Sequence, residues 1–364
     1  MMNETLNNRQ IAFIIYGTIV GYGILALPKQ IAENAGTGGW VPLLLATIAS
    51  IIITYIIAYL GCVYENKTLY EYSQILVGRY ITYIFLALYI VYFFLFFTMI
   101  ARMSGEVIKL TILLKTPVWA ISLLYLIVVY YAIIKGIKVV ARICELYGFI
   151  IIFGAFIIHF LMFTQGEMIN LKPFFVIQDV QEYIKTSFKL VIPFLGMEAI
   201  TFLPLRKENK KGIFKYTALM IAFIGLSYII IFEANISVVG VDDIVHYKDA
   251  IISTVRRIDI KYLETFRRLD GILLLVWNIA VFTTMMMFAY GTTFYISKCF
   301  KNISYRLVAI IVITMSFIVS QAPKTVIQVE KIIDFTGYLA VIAAVIIPLI
   351  LLIITKVKKY DKKV

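Results

Sequence analysis

The chain has 364 residues, of which 62% are hydrophobic and only 15% charged. Soluble domains are about 45–50% apolar, and one built like this could not keep its apolar surface out of water. The net charge of +13 would point to nucleic acid in a soluble protein. Here, however, Lys and Arg cluster beside long apolar runs and no soluble module is left over, so the charge is read as membrane topology and affinity for anionic lipid headgroups.

The apolar runs are about 20 residues each, the length that crosses about 30 Å of hydrocarbon. They predict an all-α polytopic membrane protein with ten transmembrane helices, at 11–31, 40–64, 81–101, 117–134, 146–165, 187–205, 216–239, 270–297, 304–321 and 333–355. Connections are short except for 240–269, so 1–364 is read as a single transmembrane domain. The first ten residues are polar, and the first apolar run is expected to stay as a helix rather than be cleaved as a signal.

Span one carries Gly17, Gly21 and Gly23, in the run Gly21-Tyr22-Gly23-Ile24-Leu25-Ala26-Leu27-Pro28. Glycine is unfavourable in a helix interior, so this stretch is either a break or a place of close helix packing. In span three, Tyr92, Phe96 and Phe97 can wall a pocket or simply pack. Arg102 and Glu106, four residues apart, can pair on one helix face at the outer end. Cys62, Cys144 and Cys299 have no metal-ligand or CxxC spacing and fall near predicted cytoplasmic helix ends, so reduced thiols are expected. His159 and His246 are isolated and give no argument for a metal or for catalysis.

Span six contains Pro193, Gly196 and Pro204, in the run Ile192-Pro193-Phe194-Leu195-Gly196-Met197-Glu198. Proline removes a backbone donor, and freed backbone groups are tolerated in hydrocarbon only inside protein or beside a cavity. Interrupted spans at matching places in two halves point to a 5+5 inverted repeat, 11–165 and 187–355, with a midplane site. Half-helix N-termini there suit an anion and half-helix C-termini a cation, and a zwitterionic amino acid answers both. Glu198 lies mid-span, where a charge costs about 2.5–3.5 kcal/mol on insertion scales. It can meet a ligand ammonium, carry a proton, or bond freed backbone donors of span one.

Glu233 is placed near the outer interface. In the 240–269 loop, Ile251, Ile252, Val255, Ile258, Leu263, Phe266 and Leu269 recur at helical spacing, predicting an amphipathic helix on the outer surface that is either a lid or a plain connector. In span eight, Thr283 and Thr284 follow Trp277 and Asn278; their hydroxyls can hold a ligand or bond their own helix. The basic residues of 135–142, 206–215, 298–306 and 356–363 lie on one side, which places both termini in the cytoplasm. No P-loop, nucleophile motif or metal-ligand cluster occurs, so neither an ATP-driven pump nor a membrane enzyme is expected, and no cofactor or metal.

These same segments resemble the spore germination permeases, the B subunits of nutrient germinant receptors, within the amino acid–polyamine–organocation superfamily. The matching runs are Gly21 to Pro28; Arg102 with Glu106 and Lys115-Thr116-Pro117; Phe194-Leu195-Gly196-Met197-Glu198 with Phe202-Leu203-Pro204; and Arg268-Leu269-Asp270, Leu275-Val276-Trp277, Phe282-Thr283-Thr284 and Tyr290. The chain departs from the family pattern at Asp270, where Glu is expected, and around Asn278 and Ala280, which leaves the ligand open. The resemblance implies a LeuT-like bundle with broken helices 1 and 6. It also implies a sensor of a small nutrient, often an amino acid, in the inner membrane of the spore, partnered by an A subunit and a lipoprotein C subunit. The expected ligand-binding residues are Gly21, Tyr22, Gly23, Ile24, Tyr92, Phe96, Gly196, Met197, Glu198, Thr283 and Thr284. A working secondary transporter of amino acids or polyamines, with a proton on Glu198, is the alternative.

Overall fold

The computed structural model describes residues 6–247, 249–258 and 269–360, and they are almost wholly helical. The first elements are α1 (Asn8–Ile19), α2 (Leu27–Ala35), α3 (Trp40–Val63), α4 (Leu69–Thr111), α5 (Val118–Ile133) and α6 (Ile137–Gln165). There follow α7 (Val180–Lys189), α8 (Ile213–Val239), the short α9 (Val241–Ile244) and α10 (Ala250–Val255), α11 (Leu269–Cys299), α12 (Tyr305–Ser320), α13 (Val326–Val341) and α14 (Ile347–Val357). Six segments are long and apolar enough to cross a membrane: α3, α4, α6, α8, α11 and the continuous α13–α14. The apolar α5 and α12 have 16 residues each, about 24 Å of helix.

Local chemistry sets the boundaries. Asn7 and Gln10 form a reciprocal capping box that starts α1: Asn7 Oδ1 accepts from the Gln10 N–H at 2.8 Å, and Gln10 Oε1 from the Asn7 N–H at 3.2 Å. Thr68 and Glu71 do the same for α4. At 43 residues α4 would be about 65 Å long, but Gly78, at φ +81°, bends it, separating 69–77 from the apolar rod that contains the predicted span 81–101. The predicted last span, 333–355, begins earlier, at Val326, and contains one π-helical turn, Ile342–Ile346, just before Pro348. Proline has no N–H to offer the preceding turn, and the wider turn takes up the mismatch.

The predicted span 187–205 is not one α-helix. α7 ends at Lys189, and the chain continues through two 3₁₀ segments, Ile192–Phe194 and Met197–Phe202, with extended residues at Leu195 and Leu203. Pro193 and a left-handed Gly196, at φ +123°, account for the loss of α geometry. Span one is also divided: α1 stops at Ile19, a 3₁₀ turn covers Tyr22–Leu25, and α2 starts at Leu27 with Pro28 in its first turn.

α11 is the centre of the bundle, packed on α4, α6, α1, α12 and α5. In its most apolar stretch 72% of residues are buried, against 28% for α6, which faces outward. Hydroxyls inside the bundle return to their own helix: Thr47, Thr54, Thr217, Thr292, Thr293 and Thr355 each donate to the carbonyl four residues earlier. At the end that carries the N-terminus, Arg9 pairs with Glu145 at 2.5 Å and Lys298 with Glu71 at 2.6 Å. There Asn209 Nδ2 also donates to Leu6 O at 3.0 Å and Asn8 Oδ1 at 2.8 Å.

In the described part of the 240–269 loop, α10 is packed into the bundle. In α10, Ala250, Ile251, Ile252, Thr254 and Val255 are buried, and α10 packs on α2, α8, α11 and the Tyr22–Leu25 turn. The part of the predicted amphipathic helix at 259–268, including Leu263 and Phe266, lies outside the described residues.

Candidate functional site

The interrupted segments meet. Gly196 sits against α1: a Cβ there would lie 3.0 Å from Thr18 Cγ2 and 3.1 Å from the Thr18 backbone carbon. With φ at +123°, position 196 excludes an L side chain both by conformation and by space. The Gly196 N–H donates to Glu198 Oε2 at 2.8 Å, and the Tyr92 hydroxyl donates to Glu198 Oε1 at 2.7 Å. Glu198 is fully buried. Both its hydrogen-bonding partners are neutral donors, and among the described residues no Lys or Arg pairs with it. It therefore serves the freed backbone of its own segment, not that of span one.

Around it the polar chain continues. Thr201 Oγ1 lies 2.6 Å from the Glu198 carbonyl, to which it donates, and 2.7 Å from the Tyr295 hydroxyl. The hydroxyl of Tyr228 donates to the carbonyl of Pro193 at 3.2 Å. Met197 turns the other way, its sulfur 3.2 Å from the Thr54 hydroxyl on α3. Tyr92, which bonds the carboxylate, belongs to an aromatic cluster with Phe93, Phe96, Phe202, Phe288 and Tyr295, joined by edge-to-face and tilted contacts. Phe96 belongs to this aromatic wall, with its ring 4.8 Å from Phe288.

The first break is held by α11. The Thr284 hydroxyl donates to the carbonyl of Gly17 at 3.1 Å. A Cβ on Gly21 would overlap the Thr284 hydroxyl and stand 3.2 Å from the Ala280 carbonyl. Thr283, by contrast, donates to Ala280 O of its own helix at 2.8 Å. Gly23 has nothing within 4 Å of where a Cβ would be, so close packing explains Gly21 and not Gly23. Tyr22 stands in the 3₁₀ turn, and its side chain lies outside the described residues.

Ile24 borders a cavity of about 290 Å³ between α1, α6, α8, α10 and α11. Glu198 is not among its lining residues, whereas Tyr16, Val20, His159, Tyr228, Trp277 and Ala280 are. The expected site residues thus fall into two groups that both touch α1 or its end: Glu198, Tyr92 and Phe96 with Gly196 against Thr18, and Gly21 with Thr284 against Gly17. Sequence reasoning missed Thr54, Thr201 and Tyr295, which look like ordinary helix hydroxyls until Met197 and Glu198 are seen beside them. It also set His159 aside as isolated, and only the alanine one turn earlier, at 155, hinted at room around the ring. No group of three or more His, Cys, Asp or Glu among the described residues could hold a metal, and all three cysteines are free.

The chain can be set beside known proteins at this point. Two solved transporters share its fold: a nucleobase-cation-symport-1 family transporter in a closed conformation with bromovinylhydantoin bound, and a Na⁺-coupled sialic acid symporter in a substrate-bound outward-open state. Their TM-scores are 0.67 and 0.69, with 10% and 11% sequence identity; in each case 93% of this chain and 77% of the other is covered. The likeness is one of fold. Among curated proteins, spore germination protein A2 of Bacillus subtilis (strain 168) is 29% identical over 358 residues, 97% of this chain and 96% of that protein. Spore germination protein B2 of the same organism is 27% identical, covering 96% and 95%. Spore germination protein GerLB of Bacillus cereus is 22% identical, covering 98% and 96%. The sequence pattern of the family described as spore germination protein matches residues 5–329, and the chain belongs to this family of spore germination permeases.

Proposed function

We propose that the protein is the germinant-sensing membrane subunit of a spore nutrient receptor. It binds a small nutrient, an amino acid by preference, where its two interrupted segments meet, and it signals germination without chemical turnover. The observation that carries this reading is Glu198, a fully buried carboxylate held by two neutral donors at the contact of Gly196 with α1. A carboxylate so placed, with no cation beside it among the described residues, is matched to the ammonium of an amino acid. The Gly21–Leu25 turn supplies backbone groups for the opposite end of the ligand.

In this reading the six long spans, the shorter α5 and α12, and the two interrupted segments make ten crossings. The halves 11–165 and 187–355 form the 5+5 inverted repeat, with both termini in the cytoplasm and the bundle in the inner membrane of the spore. Binding favours one arrangement of the bundle, and that differential affinity biases the A subunit and the lipoprotein C subunit. A second reading, a working secondary transporter of amino acids or polyamines, draws on the transporter fold of the two solved neighbours. Fold alone does not separate the two.

The test pairs two measurements. Spores carrying Glu198→Gln at normal protein levels should fail to respond to the nutrient that triggers the parent. Reconstituted protein should take up that nutrient no faster than empty liposomes. Normal germination of the variant overturns the site, and uptake far above the liposome background overturns the sensor in favour of the transporter.

A further inference from the structure

The cavity beside Ile24 does not belong to the Glu198 cluster, and its chemistry differs. None of its described lining residues carries a formal charge at neutral pH, and nearly all are aliphatic or aromatic. Its volume, about 290 Å³, is at the small end of ligand sites, which run from about 300 to 1,000 Å³. α6 forms the outward wall, where Phe153 and Phe156 are 71% and 67% exposed on the face that a bilayer covers. On the opposite side, Gly154 lets α6 come close to α11: a Cβ at 154 would overlap Val276, another lining residue.

Two lining side chains carry buried nitrogens with no hydrogen-bond partner among the described residues, His159 Nε2 and Trp277 Nε1. The residues are 4% and 2% exposed. His159 Nδ1 lies 2.6 Å from the Ala155 carbonyl. A carbonyl only accepts, so Nδ1 bears the proton and Nε2 of the neutral ring is an acceptor. Trp277 Nε1–H is a donor only. Leaving a buried polar atom unmatched costs about 1–3 kcal/mol. Here one acceptor and one donor stand unmatched in the wall of the same apolar cavity. A hydroxyl, which both donates and accepts, is a small organic group that can answer either atom.

We propose that this cavity is a second binding site, distinct from the nutrient site, for an uncharged, mainly apolar small molecule bearing a hydroxyl, of the alcohol or phenol class, that enters from the bilayer between α6 and α8. The described lining offers no charged partner to a zwitterion, and an unpaired charge in such a wall is strongly unfavourable. The site adjoins the first break through Val20, Ile24 and Ala280, and α10 closes over it through Ile251. Occupancy therefore acts on the turn that carries Gly21 and on the helix that holds it.

The chain has three tryptophans, so Trp40→Phe with Trp119→Phe leaves Trp277 as the sole reporter. In lipid nanodiscs, 4-bromophenol should quench Trp277 saturably. Bromobenzene, compared at equal mole fraction in the bilayer, should need about tenfold more, the scale of one hydrogen bond. His159→Leu should reduce that preference without changing bromobenzene. Quenching that rises linearly for both probes, or equal saturation by both, overturns the proposal; the second comparison needs no cavity variant to fold. Displacement of bromophenol by leucine also overturns it, by assigning the cavity to the nutrient. Glu198→Gln should leave bromophenol saturation unchanged, so loss of the nutrient reading and loss of this one are separately visible.

Discussion

Thr284 on α11 completes the hydrogen bonding of α1. Its hydroxyl donates to the Gly17 carbonyl at 3.1 Å, and α1 ends at Ile19, before the N–H of residue 21 could have taken that carbonyl in a continued helix. Thr284→Val keeps the shape and removes the donor. It should destabilise the protein by about 1–3 kcal/mol, the cost of an unmatched buried group, and Thr284→Ser should restore most of it. Thermal unfolding in detergent reads both, and an unchanged Thr284→Val would mean that the carbonyl has another partner.

The two glycines of the first break should behave differently. Gly21→Ala drives a methyl into Thr284 and towards the Ala280 carbonyl, whereas Gly23→Ala meets nothing within 4 Å. Gly21→Ala should therefore lower stability and nutrient response together, and Gly23→Ala should change stability by less than about 0.5 kcal/mol. At Gly196 an alanine meets both a left-handed φ of +123° and the Thr18 backbone, for a penalty of about 1–3 kcal/mol. Equal effects of Gly21→Ala and Gly23→Ala in a denaturation series would contradict the packing.

How much of this was legible in the sequence follows from what each signal depends on. Run length is a property of the chain alone, and α3, α5, α8, α11 and α12 lie within about three residues of the predicted bounds, inside the usual boundary uncertainty. Pro193 and Gly196 marked a stretch that could not stay α-helical for equally local reasons. The role of Gly21 against Gly23 depends on Thr284, some 260 residues away, and no local pattern separates them. The same holds for Glu198: its mid-span position was visible, but its bond to Tyr92 exists only because α4 packs there. Gly78 falls in the connection ahead of the predicted span 81–101, and its bend has meaning only because Leu69–Thr111 is one continuous element. His159 was set aside because a lone histidine acquires meaning only with a cavity beside it.

The Arg102–Glu106 pair on α4 is a clamp as well as a helix-face pair. Arg102 Nη2 lies 2.9 Å from Glu106, and Nη1 donates to Gln321 Oε1 at 3.0 Å, tying α4 to the end of α12. Both partners of the ion pair are mostly buried, 14% and 16% exposed. Glu106→Gln should cost about 1–3 kcal/mol, between the values for exposed and fully buried pairs. Gln321→Ala should cost less but loosen the link between the helices, read as faster hydrogen exchange at 318–324 with little change in melting temperature.

Tyr92 and Glu198 give the sharpest test of the nutrient site, because their hydrogen bond can be removed from either side with little change of shape. Tyr92→Phe deletes one donor to a buried carboxylate, a bond worth about 1.5–3 kcal/mol, and Glu198→Gln deletes the charge but keeps an acceptor. If their bond only holds the fold, each variant lowers stability, the double variant shows coupling of about 1–2 kcal/mol, and the nutrient concentration for half-maximal germination stays put. If Glu198 also meets the ligand ammonium, Glu198→Gln raises that concentration at least tenfold while Tyr92→Phe, which leaves the charge in place, raises it far less. The second pattern is expected, since Glu198 has two neutral donors and no cation among the described residues. Equal shifts for the two variants would reduce Glu198 to a structural brace between α4 and the Met197–Phe202 segment.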